Sequence, residues 1–149
     1  MVDYKLELII LPVSDVAAAK AFYDKLDWRL DVDIQGEGGF RAVHYTPTGS
    51  HASIIISNGL TDAAPGSTRG TYLVVDDIEV ARADIASRGI EITEVFHEAQ
   101  GGIPSVNKEG RTPGLAPERA SYFSFAIFSD PEGNEFILQE ITTRLPGRV

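Results

Sequence analysis

The sequence predicts an α+β fold made of two β-α-β-β-β modules, and three observations carry that expectation. The chain repeats its beginning. Leu11-Pro-Val-Ser-Asp-Val16 reads like Leu73-Val-Val-Asp-Asp-Ile78, an offset of 62 residues from 11 to 73, and Ala19-Lys20 falls on Ala81-Arg82. It also repeats its ending. Thr46-Pro-Thr-Gly49 reads like Asp130-Pro-Glu-Gly133, an offset of 84 residues from 47 to 131. Between these landmarks both halves keep one order of strand and helix patterns. The difference of the two offsets, 22 residues, is a surplus in the second half. It falls around residues 98–120, where Gly101, Gly102, Pro104, Gly110, Pro113, Gly114 and Pro117 cluster. A loop of that length in a small domain is usually functional or disordered.

Each element has its own signal. Apolar runs at residues 5–13 and 71–75 read as the opening strands. Ser14-Asp15 and Asp76-Asp77 then supply helix caps. Val16, Ala19, Phe22, Tyr23 and Leu26 recur at helical spacing, as do Ile78, Ala81 and Ile85. Three strands follow each helix, near 28–34, 40–46 and 51–57, and near 92–97, 122–128 and 135–142. Residues 58–70, with Asn58-Gly59 and Pro65-Gly66-Ser67, read as a linker. The expected modules are therefore 1–57 and 71–149.

Composition narrows the function. The chain has 149 residues, enough for one domain or two small halves sharing a core. It has no cysteine, which excludes disulfides, zinc–thiolate sites and cysteine nucleophiles. Net charge is −9, with the bases scattered, which argues against nucleic acid and anionic membranes as partners. The apolar run at 8–13 is far short of the roughly 20 residues that a membrane helix needs. The opening Met1-Val2-Asp3 lacks the form of a secretion signal. A cytoplasmic, soluble protein is the expectation.

The duplicated pattern resembles the vicinal oxygen chelate superfamily, which includes glyoxalase I, bleomycin resistance proteins and extradiol dioxygenases. The matching stretches are Leu11-Pro-Val-Ser-Asp15 with Ala21-Phe22-Tyr23, Val74-Val-Asp-Asp77, and Asp130-Pro-Glu-Gly-Asn134. Together they span nearly the whole chain. The resemblance implies a cup-shaped, eight-stranded mixed sheet with helices on its outer face and the site in the concavity. It also implies a homodimer, with each cup completed within the chain or across the dimer.

The resemblance allows a residue-by-residue test for a metal. In metal-dependent members the ligands stand on the first and last strand of each module. Those positions fall here on Leu8, Ser53, Gly70 and Ile137. None is a good ligand for a divalent ion, and Leu8 and Ile137 have no donor atom. No metal and no cofactor is expected, which weighs against ordinary glyoxalase chemistry and ring cleavage.

Strand alternation then indicates what lines the cavity. Leu8, Ile10, His51, Ser53 and Ile55 share one face in the first half, and Tyr72, Ile137 and Gln139 share one in the second. A hairpin turning at 47–50 sets His44 opposite Ser53. The second hairpin sets Phe128 opposite Ile137, with Ala126, Ser124 and Tyr122 on that face. Phe123, Phe125 and Ile127 then face the helices. Trp28 serves the core or walls an aromatic ligand. The expected pocket is apolar with a few polar groups, the usual make-up of a small-molecule site.

Two function classes fit this pocket. The first is sequestration of a small, apolar or aromatic molecule, as in bleomycin resistance proteins. The second is metal-independent proton transfer by His44 with Tyr72 or His97, of isomerase or lyase type. A metal-dependent lyase or dioxygenase with displaced ligands such as His44 and His51 is the weaker third.

Overall fold

The computed structural model describes residues 1–148. Residues Met1–Arg69 with Ser129–Glu135 form one unit, and Gly70–Phe128 with Phe136 onward form the other. The linker expected at 58–70 is therefore almost wholly part of the first unit, and so is the tip of the last hairpin.

The first unit contains β1 (Leu8–Pro12), α1 (Val16–Lys25), β2 (Arg29–Gln35), β3 (Arg41–Thr46) and β4 (Ser53–Ser57). The sheet order is β1-β4-β3-β2, with β1 and β4 parallel and the other pairs antiparallel. Asp15 caps α1 by accepting from the Ala18 N–H. Val16, Ala19 and Tyr23 then form its buried stripe against β3 and β4. On the strands, Leu11, Val43, Tyr45, Ile54 and Ile56 are buried beneath the helix. The alternate residues Leu8, Ile10, His44 and Ile55 are only half-buried.

The turn Asp130–Asn134 is knitted into this unit. Asp130 Oδ1 accepts from the backbone N–H groups of Glu132, Gly133 and Asn134. Its Oδ2 accepts from the Tyr23 hydroxyl and the Asn134 amide, both at 2.8 Å. Burial, reinforced by the Asp130 charge, pushes the Tyr23 phenol far above its usual range, so it remains a donor. Glu132 accepts from the N–H groups of Ser14 and Asp15, just ahead of α1. Asn134 also donates to the Pro12 carbonyl and accepts from the Thr68 N–H. Gly66 touches this turn at φ +77°, and a Cβ there would stand 1.8 Å from the Glu132 carbonyl oxygen. Only glycine fits that position.

The second unit contains β5 (Thr71–Val75), α2 (Ile78–Ser87), β6 (Phe96–Glu98), β7 (Arg111–Pro113), β8 (Phe125–Ser129) and β9 (Glu135–Glu140). The sheet order is β5-β9-β8-β6-β7, with β5 and β9 parallel. The α+β class holds, with its strands hydrogen-bonded as two mixed sheets of four and five. The additional strand, β7, lies inside the inserted segment and pairs with β6. Asp77 caps α2 through the Glu79 and Val80 N–H groups.

The end of the inserted segment is anchored at Arg119. Its guanidinium donates to Glu140 Oε1 at 2.9 Å and Oε2 at 2.8 Å, and to Asp77 at 3.1 Å. Glu140 is 1% exposed and also accepts from the Ile78 N–H. Glu118 and Arg119 adopt φ of 57° and 51°, a backbone region costly for side-chain-bearing residues. These three hydrogen bonds to two carboxylates offset that cost.

Two hairpin registers differ from those expected, with different consequences. In the first, His44 lies opposite Ile55, not Ser53. A slip of two residues leaves His44 on the same face as both. In the second, the backbone N–H of Glu140 donates to the Ser124 carbonyl and that of Asp130 donates to the Asn134 carbonyl. That register is one residue from the expected one, so every β8 side chain changes face. Phe128 stacks on Phe136, with ring centroids 5.1 Å apart, on the side away from Ile137. Phe125 and Ile127 join Ile137 instead.

Candidate functional site

Each unit has a sheet face that its helix does not cover. In the first unit this face carries Leu8, Ile10, Ile55 and His44, with Val32 added by β2, where it pairs with His44. Val32 is 42% exposed, so the face is apolar and open to a ligand. A polar cluster borders it. Thr46 donates to Asp31, and the Ser53 hydroxyl lies 2.7 Å from the Thr46 hydroxyl. The Thr46 proton is committed to Asp31, so Ser53 is the donor of that pair. Arg29 donates to both Asp31 and Thr46. Hydrogen bonds from Arg29 and Thr46 hold the Asp31 carboxyl below its usual range.

His44 sits beside this cluster. Its Nε2 is buried without a hydrogen-bond partner, and Asp31 Oδ2 is 3.9 Å away. An unpartnered ring nitrogen costs about 1–3 kcal/mol, which a ligand hydroxyl or carbonyl would recover. Asp31, Arg29 and Thr46 were not foreseen as site residues. The pairing on β2 shifts between Leu30 and Val32, and that irregularity has no turn residue to announce it.

In the second unit the sheet face away from Phe128 and Phe136 carries the buried Phe96, Phe125 and Ile137, with the partly buried Tyr72 and Ile127 packed against them. Phe96 and Phe125 have ring centroids 6.0 Å apart. Gln139 follows Ile137 on this face and donates to the Tyr122 carbonyl. The Tyr122 hydroxyl accepts from the Leu145 N–H, which ties down the end of the chain. His97 lies on the other face of the β6–β7 ribbon, beside Thr112, with Nδ1 2.9 Å from the Gly114 carbonyl. Trp28 is half-buried beside Tyr23, on the helix side of the first sheet, and His51 is exposed.

The positions that would hold a metal do not fit one. Leu8 pairs directly with Ser53, whose hydroxyl is engaged by Thr46. In the second sheet Ile137 pairs with Tyr72, two residues beyond Gly70. These positions offer no imidazole or carboxylate. Among the described residues no group of three or more His, Asp or Glu is placed to hold a metal ion. Among the described residues, too, no helix is long and apolar enough to cross a membrane.

This architecture, a β-α-β-β-β order used twice with one strand added in the second unit, defines a class. Residues 5–138 match the family model described as the Glyoxalase/Bleomycin resistance protein/Dioxygenase superfamily, and the chain belongs to that superfamily. Among solved structures it is similar to TnmS3, an antibiotic binding protein from Streptomyces sp. CB03234. The two share 27% identity over 95% of this chain and 98% of that one, with a TM-score of 0.68. A glyoxalase/bleomycin resistance protein from the same Streptomyces is 28% identical over 91% of this chain and 99% of its own, with a TM-score of 0.64. A superfamily member from Sphaerobacter thermophilus shares the fold at 24% identity and a TM-score of 0.62, over 93% of this chain and 98% of its own. Among curated proteins none matches the chain.

Proposed function

We propose that this protein binds and sequesters a small, apolar or aromatic molecule without the help of a metal ion. The observation that carries the reading is the likeness to an antibiotic binding protein, at 27% identity over nearly the full length of both chains. Two features of this chain support it. The open face of the first unit is apolar with a few hydrogen-bonding groups, the composition expected of a small-molecule site. The positions where metal-dependent relatives keep ligands carry Leu8, Ser53, Gly70 and Ile137. In this reading His44 Nε2 of the first unit bonds a polar atom of a ligand on that unit's face, Tyr72 and Ile137 of the second unit are apolar ligand contacts on theirs, and the protein works as a homodimer in the cytoplasm.

The test is a thermal-shift screen of aromatic antibiotics and planar aromatic metabolites, with each hit followed by calorimetry in chelator-treated buffer. At least one class of compound should raise Tm and bind in that buffer. His44→Ala should weaken the hit by about tenfold, the value of one hydrogen bond to an otherwise unpaired buried group. A screen in which no compound stabilises the fold would sink the proposal.

A further inference from the structure

The inserted segment carries two polar groups that the fold leaves unused. Arg111 on β7 and Glu98 on β6 are directly paired across the ribbon, so their side chains share a face. Phe96, two residues from Glu98, shares that face and pairs with Phe125. The guanidinium carbon of Arg111 lies 4.7 Å from the centre of the Phe96 ring. The two charged residues therefore border the buried apolar cluster of Phe96, Phe125 and Ile137.

Both residues hold an unmet hydrogen-bonding atom. Arg111 Nε and Glu98 Oε1 are buried, and neither has a partner. Each such group costs on the order of 1–3 kcal/mol unless something else satisfies it. Cross-strand neighbours of opposite charge usually meet each other's needs. Here the Glu98 carboxylate is instead seated on Gly110, where a Cβ would stand 2.8 Å from Oε2. The Arg111 head is seated on the Phe96 ring. The ribbon thus offers one donor and one acceptor side by side, with no net charge.

We propose that Arg111 and Glu98 read the polar edge of the bound molecule and select an aromatic ligand that carries a hydrogen-bond acceptor next to a donor, as a primary carboxamide does. Arg111 donates to the ligand carbonyl, and Glu98 accepts from its N–H. A carboxylate would meet the Glu98 charge, and an ammonium would meet that of Arg111. A ketone would leave Glu98 unmet. The inference rests on the small-molecule reading above and adds the chemistry of the ligand.

Two probes of the same shape test it on the full chain, 2-naphthamide and 2-acetonaphthone, which differ only by NH2 in place of CH3. In NMR titrations the amide should bind about tenfold tighter than the ketone, the usual return on meeting a buried unpaired acceptor. Glu98→Ala should bring the amide to the ketone's level and leave the ketone within about twofold, since the ketone makes no use of Glu98. Equal affinity of the two probes for the unmodified protein overturns this inference and leaves the small-molecule reading intact. A preference that survives Glu98→Ala also overturns it. Binding of neither probe, at any concentration that remains soluble, overturns both.

Discussion

Asp130→Ala should cost the fold about 4 kcal/mol and lower Tm by roughly 10 °C or more. The carboxylate is 4% exposed and accepts five hydrogen bonds, three of them from consecutive backbone N–H groups. Alanine removes the acceptor of all five bonds at once, and buried donors that lose their acceptor cost more than the bonds themselves are worth. Tyr23→Phe is the comparison. It removes one donor and keeps the turn, so it should cost only about 1 kcal/mol. Urea unfolding of the two variants and the double variant measures the coupling. If Asp130→Ala cost no more than Tyr23→Phe, the turn would not be the fastening of the first unit that its bonds describe.

Glu140→Gln should cost about 2 kcal/mol at neutral pH, and much of that loss should vanish in acid. The Arg119 guanidinium, aided by the Ile78 N–H, holds the Glu140 carboxyl below the usual carboxylate range. A carboxyl lowered in the folded state gives its full stabilisation above the unfolded value, about 4.3. That stabilisation disappears as pH falls through the lower folded value. The variant has no such proton to take up. Its unfolding free energy should therefore fall less steeply than the parent's between about pH 5 and pH 3. Parallel curves for the two proteins would show that the Arg119–Glu140 contact contributes nothing that depends on charge.

The fold was legible because duplication is written in residues that have mechanical jobs. Asp15 and Asp77 were readable as caps, and both accept from the first turn of their helices. Asp130-Pro-Glu-Gly-Asn134 was readable as a turn, though not as one bonded to Tyr23, Pro12 and Ser14, because such partners are distant in sequence. The faces of strands were legible only as far as hairpin register could be guessed. His44 kept its expected face because the error was two residues. Phe128 and Phe125 exchanged faces because the error was one, which in a period of two turns every side chain over. The tight Asp130 turn sets that second register, and its hydrogen bonds are not deducible from a hairpin length alone. The polar residues beside His44 and on the β6–β7 ribbon were hidden for a related reason. Beside His44 a register shift in β2 gathers Asp31, Arg29 and Thr46, and on the ribbon the meaning lies in atoms left without a partner, and a sequence displays neither.

The claim at the centre of this account is that the site works with its apolar faces and hydrogen-bonding groups and without a bound ion. Elemental mass spectrometry tests it most directly, on tag-free protein incubated with nickel, zinc, iron and manganese and then desalted. The account predicts a metal content near zero for all four. About one tightly held ion per chain would contradict it, and would mean that side chains other than Leu8, Ser53, Gly70 and Ile137 have taken over as ligands.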